Sequence, residues 1–268
     1  MTVLLMRLAG PLQSWGSSAR FARRSTEDSP TKSGVLGLLA AAQGRPRTAP
    51  MGDLAALSFG VRIDQPGLRL RDFQTAHHAD SDKPMPLSER YYLTDAVFVA
   101  GVEGDATLLR ELYVSLLAPV YLPYLGRRSC PPSLPVTLGE PVSDGRTLEE
   151  VLRAAPWEAA DWYKERLLRE RRVERNRSAA PQDLLELRLD APPGAPAYTE
   201  IRDTPLSFDP RHRRYGLRGI HVAHAERPEP DHGPSGAVPE PTRHDPTGGL
   251  RALDPAGVTN PSDPTEGE

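Results

Sequence analysis

Two adjacent histidines, His77 and His78, end a β-prone run and precede the polar stretch "ADSDKPMPLSE". An imidazole titrating near neutrality can act as general acid or base, and metal-free RNA cleavage is one reaction that would use it. Such cleavage also needs a group to stabilise the phosphorane, and Lys32, Lys83, Tyr91 and Tyr92 are of suitable type. No spacing ties these residues together, so the histidines read as contact residues and no catalytic residue is assigned. No H-x-E or H-E-x-x-H pattern points to zinc and no G-x-S-x-G to a hydrolase elbow, so neither metal nor cofactor is expected.

A second chemistry-bearing stretch is "PTKSGVLGL", residues 30–38. A nucleotide-binding P-loop needs G-x-x-x-x-G-K-[ST], whose backbone amides wrap the phosphates. The preceding residues here include acidic side chains where glycines should stand, which excludes it. What remains is a helix N-terminus with Lys32, Thr31 and Ser33, suited to one anion or to plain N-capping. Just after the first strand, "LQSWG" places Gln13 and Trp15 on a loop. The pair could read and stack a base, or Trp15 could lie in the core. Arg20, Arg23 and Arg24 surround Phe21, and "YLPYLGRRSCP" sets Tyr121 and Tyr124 before Arg127 and Arg128. Basic side chains interleaved with aromatics suit a single-stranded polyanion, although a solvated loop has the same composition.

These residues need elements to hold them. "TVLLMRL" reads as a strand, "SGVLGLLAAAQG" as a helix, and "LSFGVRID" and "LRLRDFQTAHH" as strands joined by "QPG". "RYYLTDAVFVAGV" reads as the strongest strand of the chain, and "DATLLRELYVSLLAP" as a helix capped by Asp105. With the extended "LPVTLGEPV", the order β-α-β-β-α-β predicts an α+β, ferredoxin-like domain. Further on, "ADWYKERLLRERRVER" predicts a helix, and "LLELRLD", "AYTEIRD" and "YGLRGIHV" short strands. The helix carries seven basic and three acidic residues over 164–177, a solvated face rather than a basic stripe.

The net charge of −3 conceals an asymmetry. Residues 226–268 hold nine acidic and three basic residues and nine prolines, which leaves residues 1–225 at +3. The tail is too poor in apolar residues to offset chain ordering and is expected to be disordered. One cysteine, Cys130, excludes an internal disulfide, and no 18-residue apolar run suggests a membrane span. A cytoplasmic protein is expected.

The segments "MRLAGPLQSWG", "PTKSGVLGLLAAAQG", "LRDFQTAH", "RYYLTDAVFVAGV" and "PYLGRRSCPPSLPV" occur in this order over residues 1 to about 140. Together with "IRDTPLSFDPRHRRYGLRGIHV" (201–222), they resemble the CasD branch of the fifth CRISPR-associated protein family, in the RAMP superfamily. The resemblance implies a ferredoxin-like, RRM-related domain over residues 1–225, with a β-hairpin thumb at about 76–92 and a smaller C-terminal β-rich part. It implies a non-catalytic subunit of the type I-E Cascade complex that holds the 5′ handle of the CRISPR RNA. The implied partners are that RNA, the CasC backbone subunits, the large subunit CasA and, through the complex, target DNA. Gln13, Trp15, Lys32, Ser33, Arg71, Arg90, Tyr91, Tyr124, Arg127 and Arg128 match handle-lining positions, and His77 lies near a histidine position of the family. Arg20 joins them as an RNA contact on its charge and its aromatic neighbour. A relative in another branch cuts the precursor RNA without metal, so a metal-independent endoribonuclease is the competing expectation.

Overall fold

The first strand, β1 (Thr2–Ala9), is apolar on both faces, and all but Arg7 of its side chains are buried. A strand with this pattern must lie inside a sheet covered on both sides. The computed structural model, which describes residues 1–17, 23–174, 184–192, 194 and 199–227, shows that arrangement. The element order continues with β2 (Leu12–Gln13), β3 (Arg23–Arg24), α1 (Lys32–Ala42), α2 (Gly52–Ala55), β4 (Ser58–Gln65), β5 (Leu68–Gln74) and β6 (Ser88–Thr94). It ends with β7 (Val97–Gly104), α3 (Ala106–Leu117), α4 (Leu148–Ala154), α5 (Asp161–Glu174), β8 (Leu184–Asp190), β9 (Thr199–Ser207) and β10 (Arg214–Glu226).

The main sheet is antiparallel throughout, in the order β1-β7-β4-β8-β10-β9. Leu4, Met6, Leu8, Phe59, Phe98 and Ala100 pack with Leu36 and Leu39 of α1 and Leu109 and Leu112 of α3 in one core. Val3, Leu5, Val99, Leu187 and Leu189 gather with Leu148 and Leu152 of α4 in a second. The run "LPVTLGEPV" forms no strand. It meets the free edge of β1 at two isolated bridges, Met6–Thr137 and Val3–Val142. Pro135 and Pro141 lack the amide hydrogens that a continuous ladder needs. Helix α4 was not expected, yet its start carries a readable signal. Thr147 and Glu150 form a reciprocal capping box ahead of Val151 and Leu152.

The expected C-terminal β-rich part consists of β8, β10 and β9, which extend the main sheet from the edge of β4. Their attachment is ionic as well as apolar. Asp203 accepts from the Lys32 backbone N–H at 2.8 Å and from Arg218 Nε at 2.7 Å. Asp190 accepts from Lys32 Nζ and from Arg218 Nη1, both at 2.9 Å. One sequence expectation is corrected here: "RYYLTDAVFVAGV" is two strands in two sheets. Asp95 has φ 52° and Gly67, directly across the ribbon, φ 71°. A Cβ on Gly67 would lie 2.3 Å from the Thr94 carbonyl oxygen, so only glycine permits the bend. There the β4–β7 ribbon leaves the main sheet, and β5 and β6 continue as a protruding hairpin.

That hairpin pairs Leu68 with Thr94 through to Gln74 with Ser88. It therefore begins earlier than the expected 76–92, with a His77–Pro84 bridge at its tip. With β2 and β3 it forms a small mixed sheet, in which β3 runs parallel to β6.

A surface ion pair ties the chain before α1 to β8. Arg188 hydrogen-bonds Asp28, Glu186 and the Ser29 hydroxyl. The hydrogen bond from Arg188 is the main reason that the Asp28 carboxyl sits below its usual value of 3.8. A depressed carboxylate contributes stability above the unfolded pKa, and that contribution disappears as pH falls through the folded value. Asp28→Asn is therefore expected to be slightly less stable than the wild type at pH 6 and equal to it near pH 2. Urea midpoints measured across that range check it; because the pair is partly exposed, the gap at pH 6 should stay below about 1 kcal/mol.

Candidate nucleic-acid interface

The site residues expected from the sequence fall into two groups. Gln13, Trp15, Lys32 and Ser33 are all buried. Gln13 Nε2 donates to the carbonyls of Leu8 at 2.9 Å and Ala96 at 2.7 Å, and its Oε1 accepts from Trp15 Nε1 at 3.1 Å. Trp15 belongs to the larger core cluster, under the first turn of α1. A Cβ on Gly34 would come within 2.8 Å of its ring. Both side chains are fully buried and spend their polar atoms on the protein itself, so the direct base-reading role expected of them is corrected to a positioning one. Lys32 and Ser33 are corrected likewise. Thr31, not Ser33, caps α1, and the carboxylate of Asp203 occupies the helix N-terminus where an external phosphate was expected. The helix N-terminus does carry an anion, and that anion is the protein's own. Its source lies 171 residues away in sequence, which no local motif reveals.

What the buried pair positions is a loop. Ser14 N–H donates to the Leu125 carbonyl at 3.1 Å, and Leu125 N–H to that of Cys130 at 2.7 Å. The loop turns at Gly126, φ 84°, where a Cβ would stand 1.8 Å from the Ser14 carbonyl oxygen. Tyr124 and Arg127 emerge half-buried and Arg128 exposed. Gly126→Ala is expected to lower stability by roughly 1–3 kcal/mol from the left-handed backbone alone, before the clash is added. An unchanged melting temperature would contradict this packing.

The second group lies on the small sheet and this loop. Register alternation divides the sheet into two faces. On one, Glu89 gathers Arg71 at 2.5 Å, Arg23 at 3.8 Å and the Tyr91 hydroxyl at 3.3 Å. The Arg23 guanidinium also lies over the Tyr91 ring, 5.4 Å from its centroid. On the other face, Arg24 stands beside Arg90 in the parallel pairing. Arg127 lies over the Tyr92 ring at 4.7 Å and donates to the Arg24 carbonyl at 2.9 Å. Arg71, Arg90, Tyr91, Tyr124, Arg127 and Arg128 are thus brought to one sheet and its flanking loop.

His77 sits apart, at the hairpin tip. It is exposed, with Nδ1 3.0 Å from the Asp82 carboxylate. Arg20 lies outside the described residues. Arg24 and Tyr92, named in the sequence only for their residue types and not among the handle-lining positions, join this surface. The "ARRS" cluster and the "YY" pair were visible, but only the β3–β6 pairing shows which of them share a face. Among the described residues, no group of three or more His, Cys, Asp or Glu side chains is placed to hold a metal ion.

Fold and surface define an α+β protein: one long antiparallel sheet, and a protruding ribbon lined by arginine and tyrosine. Residues 3–221 match the family described as "CRISPR-associated protein (Cas_Cas5)". A curated relative from Escherichia coli (strain K12), "CRISPR system Cascade subunit CasD", is 39% identical over 156 residues, 51% of this chain and 70% of that protein. Among solved structures, a chain of a "CRISPR RNA-guided surveillance complex" is 32% identical, with TM-score 0.66, over 85% of this chain and 91% of its own. Another, "Crystal structure of Cas protein", is 35% identical, with TM-score 0.62, over 84% and 95%. The chain belongs to the CRISPR-associated Cas5 family.

Proposed function

We propose that this chain is the CasD-type subunit of a Cascade surveillance complex and holds the 5′ handle of the CRISPR RNA on its small sheet and the 124–128 loop. The observation that carries the reading is the gathering there of Arg90, Arg127 and Arg128, which have no carboxylate partner among the described residues, with the half-buried Tyr124 on the same loop and Tyr91 on the opposite face of the sheet. Guanidinium groups would neutralise backbone phosphates, with a salt slope of about −0.7 per contact for a single strand. A base splayed onto Tyr91 or Tyr124 would add about 1–3 kcal/mol. The domain is ferredoxin-like: β1-β7-β4 carries α1 and α3, and the 136–142 segment beside β1 stands where a fourth strand would close the motif. The subunit is non-catalytic and cytoplasmic. CasC backbone subunits and CasA are its protein partners, and target DNA is reached only through the complex. No helix among the described residues is long and apolar enough to cross a membrane.

The test is to purify the assembled complex and sequence its RNA. Molecules sharing one repeat-derived 5′ end are expected, and Arg127→Ala with Arg128→Ala should lose them. RNA of unrelated sequence would refute the reading. Incubating the isolated chain with repeat RNA in EDTA decides its catalytic status, because sequence-specific cleavage there would make it an endoribonuclease.

A further inference from the structure

The two faces of the small sheet differ in charge balance. Glu89 neutralises the face carrying Arg71 and Arg23. The opposite face carries Arg24, Arg90 and Arg127, and among the described residues no carboxylate lies within ion-pair distance of any of the three. Asp72 is the register partner of Arg90 across the hairpin, yet it makes no ion pair with it. Arg90 Nε and Arg127 Nη1 are buried and have no acceptor among the described residues. Leaving such charged donors unpaired is unfavourable, and an anion would relieve it.

The backbone sets the three residues on one face, and Arg127 is held there by its own contacts. Arg24 and Arg90 are adjacent in the parallel β3–β6 pairing. Arg127 rests on the buried Tyr92 ring, two residues along β6 from Arg90, and is tied to the backbone of Arg24. Three like charges gathered on one face repel one another. The arrangement suits an anion with several acceptor oxygens, because guanidinium forks match a phosphate's geometry.

We infer that Arg24, Arg90 and Arg127 form one seat for a single backbone phosphodiester, with Arg24 as its outer, exposed member. The inference rests on the RNA-binding reading above and sharpens it. The phosphate sits on the Tyr92 face of the sheet, and Arg24, which the sequence showed only as one member of a basic cluster, is a binding residue. On the Glu89 face, Arg71 and Arg23 brace β3 against the hairpin.

The test uses the full-length chain and a fluorescein-labelled ten-nucleotide oligouridine, with anisotropy titrations at several salt concentrations. Arg24→Gln is compared with the wild type and with Arg110→Gln, which removes the same charge from the exposed face of α3. Arg24→Gln should raise Kd about tenfold at 0.15 M salt, the size expected for a hydrogen bond to a charged group. It should also reduce the salt slope by about 0.7, one phosphate contact. Arg110→Gln should change neither, and equal melting temperatures would show that all three proteins are folded. If the wild type binds but Arg24→Gln matches Arg110→Gln, the seat is overturned and the RNA reading stands. If the wild type does not bind the oligonucleotide at any salt concentration, the RNA reading fails and the seat falls with it.

Discussion

Asp203→Ala is expected to destabilise the protein by about 3–5 kcal/mol, the usual cost of removing one partner from a buried ion pair. Asp203 is fully buried and accepts from three donors: the Lys32 backbone N–H, Arg218 Nε and Arg218 Nη2. Its removal strands a guanidinium that is itself only 8% exposed and leaves the N-terminus of α1 without its counter-charge. Asp190 satisfies one remaining donor on Arg218 and cannot reach the others. Urea unfolding of the wild type and variant measures the effect, and a loss below 1 kcal/mol would contradict it. If the variant does not fold at 25 °C, adding Arg218→Met should restore part of the stability, because the stranded charge is then gone. The network joins the first helix to the last three strands, so its failure should also loosen the C-terminal extension of the main sheet.

Trp15→Ala should be comparably severe, about 3–5 kcal/mol for a fully buried aromatic side chain. The change opens a cavity beneath the first turn of α1 and leaves Gln13 Oε1 without its donor. The loss should be present in RNA-free protein, measured by the thermal midpoint. A variant that stays fully stable but loses RNA affinity would show that the ring is a stacking platform after all. The same experiment separates the positioning role assigned here from direct contact. If Trp15 acts through the 124–130 loop, Trp15→Phe should retain RNA affinity and lose only the hydrogen bond to Gln13.

Much of the secondary structure was legible because it is encoded locally. β1, α1, β4 and α3 lie where periodicity, β-branching and the Asp105 cap placed them. The failures have a common cause. "RYYLTDAVFVAGV" shows uninterrupted β-propensity, and only the opposed left-handed residues Gly67 and Asp95 divide it between sheets. "PTKSG" carries the chemistry of an anion site, but whether its anion is external or internal depends on a residue far along the chain.

By itself the sequence determined the type of several long elements, among them β1, α1, β4 and α3, the mild basicity of the body and the family resemblance, because short-range sterics, periodicity and motif order are local properties. Only the tertiary structure decided which polar groups face inward. Gln13, Trp15 and Lys32 became interior because β6, β9 and the 125–130 loop close over them, supplying partners that make their burial favourable. Arg24, Arg90 and Arg127 became neighbours because two strands distant in sequence pair in parallel. The electrostatics of that surface follows from which side chains the register sets side by side.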